Sequence, residues 1–247
     1  MLNHALPIVL LIALAAASAT GCWYGGGAHE TPADFGELGM HSLQAGDGRH
    51  FMLPQQQTSR PRAQLPTSLA VARVQYHSAY GVRDETWHLG SLDLDAKQMA
   101  RLDALVDIAD VVEPRPQFTS TRDRNLLNGL RRGALAEGAE LLLLYTFEGS
   151  ATTSGGIVPL DLLSLGTLPT VAAEAHIRAH ALLIDAASGY VYAHAESDEE
   201  SWQLANHWTD SDAARDTINR AQRRAFDRLL VAFEPMWWRL RAVYWSR

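Results

Sequence analysis

The side chains best suited to chemistry in this sequence are histidines and carboxylates in its second half. Both groups bind metal ions. His176 and His180 are four residues apart, so on a strand their backbones would be about 13 Å apart, too far to share one ion. We expect His180 instead to face His194 across a hairpin. There the two could share an ion with Glu196 or Asp198 as the third ligand.

The alternative for these residues is a polar strand face that is partly covered by a helix. Arg178 and Glu196 would then form a cross-strand ion pair, which contributes about a few tenths of a kcal/mol. We favour the polar face and keep His180 and His194 as candidate ligands only. The sequence therefore predicts no metal and no cofactor.

Short motifs of common enzyme mechanisms are missing from the sequence. It contains no GxSxG nucleophile elbow, no P-loop, no dinucleotide-binding GxGxxG and no HExxH pair. One cysteine in the whole chain also excludes zinc sites built from several cysteines. We therefore predict that the protein is not an enzyme.

That single cysteine, Cys22, follows a run of apolar residues without any acidic or basic side chain. The apolar part, residues 5–17, is shorter than the roughly 20 residues that a spanning helix needs, and it suits a secretory signal. Small residues at 19–21 lead directly into Cys22. This stretch resembles a bacterial lipobox, which implies cleavage before Cys22 and acylation of its sulfur. The alternative is an ordinary secretory signal followed by a free cysteine.

Residues 154–170 form an apolar connection that is long for a compact domain. One hypothesis is a lobe that binds a partner or faces a membrane. Its side chains would be Ile157, Val158, Leu160, Leu162, Leu163, Leu165 and Leu168. The hypothesis that we favour is a short amphipathic helix at residues 161–165 that folds against the sheet.

An antiparallel hairpin over residues 171–197 is the clearest local prediction, with Ala-Ala-Ser-Gly as its turn. Pairing Ile184 with Tyr190 places His180 opposite His194. In this register apolar side chains share one face and polar side chains the other, and a slip of one residue would reverse both faces.

Hydrophobic patterning predicts the other elements. They are a strand at 68–76, a helix after Asp93 or Asp95 that extends to Ala109, a short strand at 111–112, a helix closing at Gly138, a buried strand at 140–149 and a long final helix. Strands and helices thus alternate before the hairpin. This order predicts an α/β fold, a mixed sheet with an antiparallel hairpin that is covered by helices.

The final helix carries an apolar stripe from Ile218 to Trp237, and Pro235 is expected to kink or restart it. The aromatic and basic residues that follow could lie at a bilayer interface or pack on the domain, and we favour packing. These aromatic residues are Trp237, Trp238, Tyr244 and Trp245.

Three regions follow from these patterns. Residues 1–21 are predicted to be a lipoprotein signal peptide, residues 22–66 a lipidated cysteine with a flexible tether, and residues 67–247 a single α/β domain. A net charge of −7 argues against nucleic acid as a partner. Trp23, where an aspartate would favour inner-membrane retention, indicates the outer membrane.

The lipobox, the tether, the strand SLAVARV, the central ELLLLYTFE and the hairpin LLIDAASGYVYAHAES form a recognisable set. The set resembles the rhombotarget lipoproteins and, more broadly, envelope lipoproteins with a fold like the amino-terminal domain of TolB. The resemblance implies a TolB-like sandwich in an envelope lipoprotein. Together with Trp23 and the missing enzyme motifs, it leads us to expect a protein of the outer membrane that faces the periplasm and has a non-enzymatic role in assembly or interaction with other envelope proteins. The alternative is an envelope lipoprotein that binds a small ligand or metal on the polar hairpin face.

Overall fold

A computed structural model describes residues 27–30, 40–44, 50–54, 60–79, 82–89, 94–117, 126–155, 171–205 and 210–245. The chain has an α/β fold, as predicted, in which a mixed sheet packs with three helices. In chain order the elements are β1 Gly27–Glu30, β2 Met40–Gln44, β3 His50–Pro54, β4 Thr67–Ala79, β5 Val82–Leu89, α1 Ala96–Asp103, β6 Ile108–Val112, α2 Leu126–Ala136, β7 Ala139–Gly155, β8 Val171–Asp185, β9 Val191–Ala205 and α3 Asp210–Tyr244.

Seven of the strands form one sheet, whose main path runs β5-β4-β7-β8-β9. Strands β4 and β7 are parallel, whereas β7, β8 and β9 are successively antiparallel. Strand β6 pairs with β4 and β1 pairs with the far part of β7. The two remaining strands, β2 and β3, form a separate ribbon.

The predicted central strand is confirmed, because β7 is buried on both faces over its first half. Leu141 and Leu143 face one core together with α1 and α3. Leu142 and Leu144 face a second core, which is closed by α2. A continuous apolar run is what such two-sided burial requires. Beyond Phe147 the strand becomes polar on its α2 side.

Helix α3 covers the first core along its length. Its predicted stripe is confirmed, since all of its members are at most 4% exposed: Ile218, Ala221, Ala225, Leu229, Phe233 and Trp237. The predicted restart at Pro235 is wrong, because the helix is continuous from Asp210 to Tyr244. Buried residues on both sides of the proline, Phe233 and Trp237, hold the chain to the same core.

Helix α1 begins as predicted but ends early. Asp95 is its N-cap and forms a capping box with Gln98. The helix ends at Asp103, not at Ala109 as predicted. After a short turn, Asp107 adopts a left-handed φ of 66° directly before β6 begins at Ile108.

The region predicted as a flexible tether, residues 22–66, contains the three strands β1, β2 and β3. The ordered domain also begins before Thr67. The Asp185 carboxylate accepts hydrogen bonds from the backbone amides of Arg62, at 2.5 Å, and Ala63, at 2.7 Å. The indole nitrogen of Trp245 donates to the Ala63 carbonyl at 2.8 Å. Residues 60–66 are therefore fastened to the end of the sheet where β8 turns into β9.

Packing of the C-terminal rings on the domain is confirmed for three of the four. Trp237 is buried, and Tyr244 and Trp245 pack against the first core. Trp238 remains 49% exposed beneath the guanidinium of Arg241. Among the helices that the structure describes, none has both the length and the apolar character to cross a bilayer.

Candidate metal centre

The hairpin that carries the histidines is present, but its register differs from the prediction by two residues. Leu182 lies opposite His194, and His180 lies opposite Glu196. The extra residue on β9 is Tyr192, between the pairs Ile184–Val191 and Leu183–Ala193. Its buried hydroxyl donates to the Asp185 carboxylate at 3.0 Å, which stabilises the irregularity.

From Ala193 onwards the shift is two residues, so these side chains keep their predicted faces, because strand side chains alternate with a period of two. Val191 and Tyr192 are exceptions: Val191 packs against the core closed by α2 and Tyr192 lies in the core covered by α3, the reverse of what the predicted register gives. His180 and His194 therefore become diagonal neighbours on the polar face. Their rings are stacked, with centroids 6.1 Å apart and planes 7° from parallel. The predicted direct pair is wrong, but the predicted proximity is confirmed.

Glu196 lies between the two rings. One of its carboxylate oxygens, Oε1, is 3.4 Å from Nδ1 of His180 and 3.4 Å from Nε2 of His194. One ligand atom from each residue can be chosen so that all three lie within 4.8 Å of one another. Zinc–ligand bonds of about 2.0–2.2 Å place neighbouring tetrahedral ligands about 3.3 Å apart. The three side chains therefore have nearly the spacing of three corners of a zinc site.

His194 is the most enclosed of the three, and its Nε2 atom is buried without a hydrogen bond to any described residue. The 3.4 Å contact with Glu196 lacks hydrogen-bond geometry. Burial lowers the pKa of His194 below the ordinary histidine value, and His180 lowers it further while Glu196 opposes the shift. The imidazole is thereby held neutral, the form that binds metal.

Glu148 adds a carboxylate that sequence reasoning did not find. It lies on β7, opposite Arg178 and two residues from Thr146, which faces His180. Its Oε2 is 3.6 Å from Nε2 of His180, the ring atom that does not face Glu196. A carboxylate in that position fixes the orientation of a metal-binding imidazole. The signal was available, since Glu148 directly follows the apolar run of β7 and pairing with β8 brings it to the same face.

Asp198, the other predicted third ligand, lies outside this cluster. It accepts a hydrogen bond from Arg178 at 2.8 Å and is 4.0 Å from His176. The predicted Arg178–Glu196 pair is therefore replaced by Arg178–Asp198, as the register shift requires. Glu196 is left to the two histidines.

Further along the same face the sheet forms an open groove of about 590 Å³. Its walls come from β7, β8 and β9 and include Thr152, Glu174, His176, Glu200 and Trp202. Helix α2 does not reach this part of the face, since its core ends at Leu144 and Leu182. The polar face therefore has an open groove at one end, and the His-Glu cluster lies between this groove and the part of the sheet that α2 covers.

Two of the predicted sites lie outside the described residues. They are the lipidation site Cys22 and the apolar connection with Ile157, Val158, Leu160, Leu162, Leu163, Leu165 and Leu168.

Comparison with protein-family models and with curated proteins finds no match. The function is accordingly argued from the site itself and from the sequence features that surround it.

Proposed function

We propose that this chain is a lipid-anchored protein of the bacterial envelope whose α/β domain binds a divalent transition-metal ion. The main observation in support of a metal site is that His180, His194 and Glu196 converge. Oε1 of Glu196 is 3.4 Å from a nitrogen of each histidine. Two imidazoles and one carboxylate favour zinc, and also suit copper, nickel or ferrous iron. Three protein ligands leave a fourth position for water or for a group on a partner.

The anchor rests on the sequence. An apolar segment, small residues and then Cys22 support acylation at that cysteine, and Trp23 supports the outer membrane. The resemblance to rhombotarget and TolB-like lipoproteins supports the same location, facing the periplasm. Metal binding in that compartment is carried out here by histidines and a carboxylate, without thiols.

Isothermal titration of the untagged mature chain with Zn²⁺ tests the metal site. We expect one ion per chain for the unaltered protein, and loss of that ion in His180→Ala, His194→Ala and Glu196→Gln. Glu148→Gln should retain binding but weaken it about 10- to 100-fold, since it removes a group that orients a ligand. Because burial lowers the pKa of His194, protonation of this ligand should compete with the ion only at a lower pH than it would at an exposed histidine.

His176→Ala is the matched control. His176 is on the same strand and face, and it contacts the carboxylates of Asp198 and Glu200. Its removal should leave the stoichiometry and affinity unchanged. A wild-type chain that binds no ion, or a control that loses affinity as much as His194→Ala does, would contradict the proposal.

A second role, the accessory or interaction module, is favoured by strand β9. It is 15 residues long, and its described backbone pairs with β8 alone. A strand edge of this length can accept an added strand from a partner protein. Crosslinking through residues placed along β9 in intact cells tests this role. Recovery of the chain without crosslinked envelope proteins would argue against it.

A further inference from the structure

We infer that the end of the sheet carrying Trp202 and Leu204 faces and contacts the bilayer surface. The inference rests on the proposed acylation of Cys22 and adds the orientation of the domain on the membrane.

The first observation is the place where the chain enters the sheet. Strand β1 begins at Gly27, five residues after Cys22, and Gly27 pairs with Thr152 near the end of β7. Five residues span at most about 18 Å. An acylated Cys22 therefore holds this end of β7 within about 18 Å of the lipid, although the sequence predicts a tether of more than 40 residues.

The direction of β1 fixes which end is nearer. The strand runs from Gly27, opposite Thr152, to Glu30, opposite Gly149. The chain therefore enters β1 at the end nearer Gly155, the last residue of β7, and runs from there towards the end with the turn between β8 and β9. The anchor lies beyond that end.

The pairing register shows which residues of the neighbouring strands lie in the same row as Gly27, and therefore at the same distance from the anchor end. Gly27 lies opposite Thr152, Thr152 opposite Glu174, and Glu174 opposite Trp202. Three steps between strands cover about 14 Å. Trp202 is thus in the same row as Gly27, where the chain enters the sheet. Leu204 is two residues further along β9, in the row of Ser154 and Ala172, and is therefore closer to the membrane.

The side chains in these two rows suit a headgroup surface. Trp202 is 69% exposed and Leu204 59% exposed, although both are large apolar residues. Tryptophan favours the bilayer interface, where its ring is buried and its N–H stays hydrated. Glu174 and Glu200 in the adjoining groove are complementary to the ammonium group of phosphatidylethanolamine and are repelled by anionic lipid. We therefore assign the contact to a phosphatidylethanolamine-rich surface.

The opposite end of the domain must then point away from the bilayer. Along β8, Asp185 is eleven residues from Glu174, or about 36 Å. That far end carries the turn with Ala187, the fastened residues 60–66 and the C-terminal end of α3. The aromatic residues at the C-terminus therefore lie at the end of the domain away from the membrane contact.

The single cysteine makes the test direct. Acylation blocks the sulfur of Cys22, so one engineered cysteine can be labelled alone with a fluorophore. Glu174→Cys and Ala187→Cys, both at exposed positions, report on the two ends of the lipidated full chain. The chain is placed in phosphatidylethanolamine-rich vesicles that contain a lipid with a spin-labelled headgroup as quencher. We expect the label at 174 to lose most of its emission and the label at 187 to retain it.

Two further variants test the cause. About twenty Gly/Ser residues inserted after Tyr24 add a flexible spacer of about 25 Å, which should reduce the quenching at 174. In the background of Glu174→Cys, the double change Trp202→Ala and Leu204→Ala should also reduce it, whereas Val231→Ala, on an exposed position of α3, should not. Replacing half of the lipid by phosphatidylglycerol should also weaken quenching of the label at 174, because Glu200 still repels anionic headgroups in the Glu174→Cys variant.

The outcomes separate this inference from the anchoring proposal. Equal quenching at both positions, or stronger quenching at 187, would overturn the orientation while the chain still floats with vesicles. If the chain does not float, and Cys22 itself reacts with the fluorophore, acylation fails and the inference fails with it. Quenching at 174 that is unaffected by the spacer and by the loss of Trp202 and Leu204 would also overturn the contact.

Discussion

Replacing Asp185 by asparagine should strongly destabilise the domain. Its carboxylate is fully buried and accepts four hydrogen bonds. Three reach Oδ2, from the amides of Arg62 and Ala63 and from the hydroxyl of Tyr192, and the amide of Ser188 donates to Oδ1 at 2.7 Å. One side chain thus connects the chain entry at 60–66, the hairpin turn and the β9 irregularity.

The size of the destabilisation can be worked out from the hydrogen bonds that asparagine can still accept. Its single oxygen can occupy the Oδ2 position, but its NH₂ group then meets the Ser188 N–H, donor against donor. Hydrogen bonds to a charged group contribute about 1.5–3 kcal/mol and neutral ones about 0.5–1.5 kcal/mol. Three weakened bonds and one lost bond lower the free energy of unfolding by about 3–4 kcal/mol, with allowance for non-additivity.

The effect should depend on pH in a defined direction. Burial alone would raise the pKa of the Asp185 carboxyl, but hydrogen bonds from Arg62, Ser188 and Ala63 outweigh burial and hold this pKa below its usual range. The stabilisation is therefore present above the unfolded-state pKa, about 3.9, and is lost as the pH falls through the lower folded-state value. The difference between Asp185→Asn and wild type should shrink below about pH 4.

Urea unfolding of the mature chain with Cys22→Ser, followed by circular dichroism at pH 7 and at pH 3, measures both quantities. Asp198→Asn is the control, since its exposed pair with Arg178 should contribute less than about 1 kcal/mol. A loss below 1 kcal/mol for Asp185→Asn at pH 7, or a difference of the same size at both pH values, would refute the reasoning.

Two packing predictions can be measured in the same assay. Gly133→Ala should destabilise the chain by about 1–2 kcal/mol in spite of the better helix propensity of alanine, because its Cβ would lie 2.1 Å from the Arg115 carbonyl oxygen; an unchanged or raised stability would contradict this. Leu229→Ala, at a fully buried position of α3, should cost about 2–5 kcal/mol, and Val231→Ala, 57% exposed on the same helix, less than about 0.5 kcal/mol. If the two α3 variants lose similar amounts of unfolding free energy, the apolar stripe of α3 does not supply the stabilising contacts with the core.

The features predicted correctly from the sequence were those set by hydrophobic periodicity. The two-sided burial of β7, the stripe on α3 and the faces of the hairpin all depend on which positions are apolar, and this is local information. Strand register depends on more. One residue of the difference at His180 comes from the turn, where Ile184 pairs with Val191 and not with Tyr190. The other comes from the irregularity at Tyr192, whose hydroxyl donates to Asp185, and alternation of apolar and polar residues encodes neither.

The same distinction applies to the candidate site. Proximity of His180 and His194 followed from the hairpin, but the choice of Glu196 over Asp198 required the register. Glu148 required the pairing of β7 with β8. Strand β1 gave no local signal, because four residues of mixed character, Gly27–Glu30, show no alternation and are positioned by pairing with β7, which is distant in sequence.

The metal centre and the membrane contact lie on one face, and their separation makes the two proposals independent. His180 is six residues from Glu174 along β8, about 20 Å further from the bilayer. The spacer after Tyr24 should therefore change the height of the ion above the membrane but not its affinity, since none of the three ligands moves relative to the others. His194→Ala should do the reverse, removing the ion and leaving the quenching at position 174 intact. A spacer that weakened Zn²⁺ binding would show that the bilayer itself helps to form the site, and the metal centre would then have to be regarded as a composite of sheet and headgroup.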